Sequence, residues 1–211
     1  MQQLACTAIL FDLDGVLIDS TECITRHWED WARQHGLDIA AIMQVAHGRR
    51  TIETMRIAAP HLALDEEVRQ FEAGEVADTQ GIITIDGALA LLKSIPTGAW
   101  AIVTSGSRAL ATARLQSRGL PVPPTMVTAD DVVNGKPHPE PYLKAAESLA
   151  ADPADCIAIE DSNTGAASAE TAGCTVLVVP NHVAVPEGPR RVFVDDLVGL
   201  RLEDLDRLLL G

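Results

Sequence analysis

Phe11-Asp12-Leu13-Asp14-Gly15 places two carboxylates two residues apart at the end of an apolar run. Residues at that spacing leave a strand on one side, so Asp12 and Asp14 are expected to face one pocket. Paired carboxylates repel each other unless a cation or a shared proton intervenes. Alone, the pair also fits two solvated turn aspartates. Glu160-Asp161 closes another apolar run, and acids directly behind a buried strand are costly unless paired or metal-bound. With Asp12 they offer the hard oxygen ligands that Mg²⁺ prefers. A helix N-terminal acid, favoured by the dipole, is the plainer alternative for Asp161. Thr104-Ser105-Gly106 ends a third run, where a hydroxyl and a backbone N–H make an anion-binding corner, although Ser-Gly is also an ordinary turn. Lys136, in Gly135-Lys136-Pro137, is one of three lysines against 13 arginines. Its compact ammonium suits neutralising a phosphoryl group and a carboxylate together; the alternative is a surface lysine in a proline-rich loop. Jointly these residues form the inventory of phosphoryl transfer. That inventory predicts Asp12 as the group that attacks phosphorus in line, Asp14 as acid and base, Ser105 as a positioner of an oxygen, and a metal with Lys136 to offset negative charge.

Elements must bring these segments to one rim. Ala5–Phe11, Ala99–Thr104, Cys156–Glu160 and Thr175–Val179 are short, nearly continuous apolar runs, the pattern of strands covered on both faces. Helical segments lie between and after them: Arg108–Arg118, Pro139–Ala150 and Asn163–Ala172, the last stopped by Gly173. Alternation of this kind predicts an α/β fold, a Rossmann-like parallel sheet core with helices on both faces. About 85 residues separate the first two runs, too many for a loop. Ser20–Gln34, with Ile24, Trp28, Trp31 and His35 on one stripe, Thr51–Ala59 and Asp65–Asp78 read as helices within that gap. We therefore expect a helical insertion over 18–82, joined near Gly15–Asp19 and Gly81–Gly87, in a core of 1–17 and 83–211.

The chain of 211 residues is 47% hydrophobic and 3% aromatic, so its core is built from aliphatic side chains, and its net charge is −14. Such a balance repels phosphate backbones and anionic membranes, so neither nucleic acid nor membrane is an expected partner. An anionic ligand needs local positive charge or a metal. No uninterrupted apolar window of about 18 residues occurs, and Met1-Gln2-Gln3 lacks a signal-peptide pattern, which predicts a cytoplasmic protein. Cys6, Cys23, Cys156 and Cys174 lack CxxC spacing and read as packing residues rather than zinc ligands or a disulfide framework.

Asp12-Leu13-Asp14-Gly15, the Ser105 turn, Lys136 and Glu160-Asp161 together resemble, in order, the four motifs of the haloacid dehalogenase superfamily phosphohydrolases. The resemblance spans essentially the whole chain, and the insertion is similar to that superfamily's small helical cap. Trp100–Arg108, Gly135–Leu143 and His47-Gly48-Arg49-Arg50-Thr51 look closest to the 2-deoxyglucose-6-phosphate and glycerol-phosphate phosphatases. The resemblance implies Asp12 as a nucleophile forming an aspartyl-phosphate and Asp14 as the acid that protonates the leaving alcohol and then activates water. Its backbone carbonyl helps hold Mg²⁺, with Asp161 completing the metal site and Glu160 assisting. Ser105, the Gly106 amide and Lys136 grip the phosphoryl group. The cap selects the leaving group, with His47, Arg49, Arg50 and Glu72 as candidate contacts and Trp28 and Trp31 as cap core. The implied partner is a small phosphorylated sugar or polyol, the implied assembly a monomer or small homo-oligomer. A β-phosphoglucomutase-like mutase is the alternative; those enzymes place a histidine where this chain has Ile24, with His27 one turn away. Dehalogenases of the superfamily lack the second aspartate, present here as Asp14. A non-catalytic phospho-acceptor or phosphometabolite-binding module is the alternative of another class.

Overall fold

The computed structural model describes residues 2–179, 184–203 and 207–210. Among them the strands are β1 (Gln2–Ala5), β2 (Ala8–Phe11), β3 (Ile18–Asp19), β4 (Ile83–Thr84), β5 (Trp100–Val103), β6 (Met126–Val127), β7 (Cys156–Glu160), β8 (Thr175–Val178), β9 (Arg191–Phe193), β10 (Arg201–Glu203) and β11 (Arg207–Leu210). The α-helices are α1 (Thr21–His35), α2 (Ile39–Ala46), α3 (Thr51–Ala58), α4 (Asp65–Ala77), α5 (Ala88–Ser94), α6 (Arg108–Ser117), α7 (Glu140–Ser148) and α8 (Asn163–Ala172).

Six strands pair in parallel in the order β6-β5-β2-β7-β8-β9. Phe11 on β2 lies opposite both Ile102 and Ile159, so the central strands end level and their following residues share one edge. Alternation along β2 sends Ile9 and Phe11 to one face, with Leu91, Leu92 and Leu115 of α5 and α6. Ala8 and Leu10 go to the other, with Tyr142, Ala145, Ala146, Ala166 and Ala169 of α7 and α8. The alanines let these two helices lie close to the sheet. Ser107 and Ser162 cap α6 and α8 by accepting from Leu110 N and Gly165 N, each cap contributing about 1 kcal/mol.

The first apolar run is broken in two. Thr7 N donates to Asp155 O at 2.8 Å, separating β2 from β1, which pairs antiparallel with β11 in a second sheet. Residues 21–77 form four helices rather than the three read from periodicity. Ile39–Ala46 has no acid in its first turn and no basic residue in its last, so its main helix signal is the N-cap Asp38, whose side chain accepts from Ala40 N. Trp28, Trp31, Ala32, Ile42, Met55, Ala59 and Phe71 make a separate core for this layer, with Trp28 and Phe71 ring centroids 4.3 Å apart. Its two connections pair with each other, Ile18 opposite Thr84 and Asp19 opposite Ile83. The four cysteines are buried and form no disulfide, and burial raises Cys156 to about 11 and Cys174 to about 12. No helix among the described residues is long and apolar enough to cross a membrane.

Candidate active site

Lys136 is the hub of the sheet edge. Its ammonium donates to Asp12 Oδ1 at 2.6 Å, Glu160 Oε1 at 2.6 Å and Val103 O at 2.8 Å, and the residue is 1% exposed. Burial disfavours its charge, but Asp12 and Glu160 outweigh that and raise its pKa. Tyr142 OH donates to the same Glu160 Oε1 at 2.6 Å. The ammonium lies 5.2 Å from the Tyr142 ring centroid. Glu160 Oε2 accepts from Ser162 Oγ at 3.1 Å. A Cβ at position 165 would meet Glu160 Oε1 at 1.8 Å, so only glycine fits there as α8 begins.

Asp14 stands on a second network. Its Oδ1 accepts from Ser20 Oγ at 2.6 Å and Arg114 Nη1 at 2.8 Å. The other Arg114 arm donates to Glu75 Oε1 on α4 at 2.9 Å. Arg114 and Glu75 are both buried. Burial opposes the guanidinium charge, yet Asp14 and Glu75 raise its pKa, while burial pushes the Glu75 carboxyl up to about 7 against the pull of Arg114.

Between the sheet edge and the helical layer lies a cavity of about 90 Å³. Asp12, Asp14, Ser105, Gly106, Arg114 and Asp161 line it from the sheet; Ile24, Trp28, His47, Gly48, Arg49 and Glu75 line it from the helices. Ser105 Oγ donates to Gly48 O at 2.9 Å, tying the 47–49 loop to the sheet edge. Arg50 and Glu72 do not line the cavity. Arg50 instead donates to Glu53 and to the carbonyls of Val132 and Val133. Glu72 lies beside Ser107 and Thr51, which oppose the rise that burial gives its carboxyl pKa. Both span the helical layer and the sheet-bearing part instead of facing the cavity. Trp31 is in the helical core and Trp28 shares that core while edging the cavity.

Spacing did not single out Tyr142, Arg114 or Glu75. Tyr142 appears on an apolar helical stripe, where its hydroxyl carries no pattern. Arg114 and Glu75 are 39 residues apart in sequence, so their pairing exists only in three dimensions.

Asp12, Glu160 and Asp161 bring one carboxylate oxygen each within 4.8 Å of one another. Burial raises the Asp12 pKa strongly, Lys136 opposes this, and Glu160 and Asp161 add to it. An oxygen-rich cluster with surplus negative charge fits a hard divalent cation. Cys23, His27 and Asp78 also bring ligand atoms together. There, however, Arg26 already donates to Asp78 Oδ2 from Nε at 3.2 Å and Nη2 at 2.6 Å, so a cation would have to displace a guanidinium.

The family model for haloacid dehalogenase-like hydrolases matches residues 9–179. Hexitol phosphatase A of Escherichia coli is 39% identical over 205 residues, 95% of this chain and 93% of that protein. Glycerol-1-phosphate phosphohydrolase 2 of Saccharomyces cerevisiae is 36% identical over 187 residues, 82% of this chain and 74% of its own. Among solved structures, CbbY from Rhodobacter sphaeroides in complex with xylulose-(1,5)bisphosphate superposes with a TM-score of 0.77 at 23% identity, covering 92% of this chain and 96% of that one; this likeness concerns the fold. From the match over most of its length and from these relatives, the chain belongs to the haloacid dehalogenase-like hydrolases and is a phosphoric monoester hydrolase of that family.

Proposed function

We propose that the protein is a Mg²⁺-dependent phosphatase of small sugar or polyol phosphates, working through an aspartyl-phosphate on Asp12. The observation that carries the reading is the convergence of Asp12, Asp14, Ser105 and Asp161 on one cavity, with Lys136 bonded to Asp12 behind it. A carboxylate oxygen of Asp12 attacks phosphorus as the bond to the alcohol oxygen breaks, and Asp14 delivers its proton to that oxygen. Water then attacks the acyl phosphate, Asp14 takes its proton, and inorganic phosphate leaves. Dividing one displacement into two lowers each barrier. Lys136 holds Asp12 in one orientation and offsets charge; Ser105 and the Gly106 amide hold phosphoryl oxygens. Asp12, Asp161 and the Asp14 main-chain carbonyl would hold Mg²⁺, which when bound neutralises charge on the phosphoryl group. Glu160, whose oxygens already accept from Lys136, Tyr142 and Ser162, assists by fixing the lysine.

Residues 18–82 act as a cap on a core of 1–17 and 83–211, and exclude water by closing on it. His47 and Arg49 face the leaving group. The hexitol and glycerol phosphates named for the relatives set the class of substrate we propose. Ile24 lines the cavity, while His27 Nε2 sits 3.2 Å from Asp78 Oδ2, which favours hydrolysis over the mutase alternative. We assign the protein to the cytoplasm.

The test is phosphate release from a panel of glycerol, hexitol, deoxyhexose and two-carbon phosphates, with Mg²⁺ or with EDTA. We expect turnover only with the metal, and a loss of at least about a thousandfold in Asp12→Asn. Full activity in that variant would overturn the proposal.

A further inference from the structure

The cap reaches the sheet edge through a buried guanidinium that belongs to none of the four motifs. Arg114 is 2% exposed and Glu75 is 4% exposed, and the fork joins Asp14 on one side to Glu75 on the other. Arg114 Nε is buried without a hydrogen-bond partner. Burying such a triad costs desolvation that apolar side chains would avoid, and an unmet donor adds to that cost. Packing alone gives no reason for the arrangement. Because the guanidinium is planar and rigid, where Glu75 holds one arm fixes the angle at which the other meets Asp14.

We propose that Glu75 is a positioning residue that acts through Arg114 to aim the Asp14 carboxyl at the leaving oxygen, so that seating α4 on the core completes the acid. The inference rests on the reading of Asp14 as the acid and base. In the step it serves, the proton passes from Asp14 to the alcohol oxygen as the P–O bond breaks. Arg114 and Glu75 exchange no proton; they set direction.

An alkyl alcohol must be protonated to leave, whereas 4-nitrophenolate leaves without help. The experiment is single-turnover rapid quench in Mg²⁺, comparing the best alkyl phosphate of the panel with 4-nitrophenyl phosphate. For Glu75→Ala we expect release of the alkyl alcohol to fall about 10–100-fold, within the range general acid catalysis supplies. The rate of nitrophenolate release should fall by less than about threefold. Glu75→Gln, which keeps an acceptor for Arg114, should restore alkyl release to within about threefold of wild type. Equal losses on the two substrates, or none, would overturn the proposal. Should Glu75→Ala fail to fold, Glu75→Asp, one methylene short, must show the same selective loss, and a uniform one refutes the role. A wild-type enzyme that releases neither alcohol sinks the phosphatase reading as well. Wild-type turnover with indifferent Glu75 variants sinks only the positioning role.

Discussion

At the scale of single residues, Lys136 and Glu160 depend on each other. Two carboxylates converge on one buried ammonium, so removing the lysine leaves buried negative charges facing each other. Lys136→Ala should lower stability by about 3–5 kcal/mol, whereas Tyr142→Phe, which takes one donor from Glu160, should cost about 1–3 kcal/mol. Chemical denaturation checks both, and steady-state kinetics should show Tyr142→Phe lowering kcat a few-fold at constant KM. Equal stability of Tyr142→Phe and wild type would mean that the hydroxyl is idle. Lys136 is legible in sequence because lysine is scarce in this chain and falls beside a proline-rich turn. The Tyr142 hydroxyl is not, since helical spacing reports which face a residue occupies and nothing about its polar tip.

Among the elements, the 47–49 loop between α2 and α3 governs how the helical layer meets the sheet edge. Gly48 has φ +71°, and a Cβ there would lie 2.5 Å from Ser162 Oγ. An alanine would combine left-handed strain of about 1–2 kcal/mol with a collision, both felt where the loop meets the core. Gly48→Ala should therefore raise KM about 3–10-fold and lower the melting temperature by about 2–8 °C, while α2 and α3 keep their packing through Ile42 and Met55 away from the loop. An unaltered KM would show that this contact does not limit closure. Helices with polar breaks around them, such as Asn163–Ala172 ended by Gly173, are visible from residue types alone. The apolar Ile39–Ala46 offers only Asp38 at its start as a polar marker, and β6 and β9, two and three residues long, are too short for a pattern. The register that sets Phe11 level with Ile102 and Ile159 likewise comes from the assembled sheet.

For the molecule as a whole, charge is the dominant feature. A net −14 coexists with Asp12, Glu160 and Asp161 grouped at one spot, and a divalent cation bound only by the folded chain stabilises it by mass action. Mg²⁺ at about one hundred times its dissociation constant adds about 2.7 kcal/mol, equivalent to about 5–10 °C in Tm for a chain of this length. Differential scanning calorimetry should show that rise with Mg²⁺ and its reversal by EDTA. The Asp161→Asn variant should lose most of it, and an equal rise in that variant would remove Asp161 from the metal site.

The antiparallel β3–β4 pairing has a consequence for how this architecture can diversify. The chain departs and returns through adjacent strands, about 5 Å apart, so the ends of the intervening module are already joined by a ladder. A different helical module, or a short turn, could be grafted between Ile18 and Thr84 without redirecting either strand. Substrate choice could then be exchanged by transplantation while the charged rim beneath it stays intact.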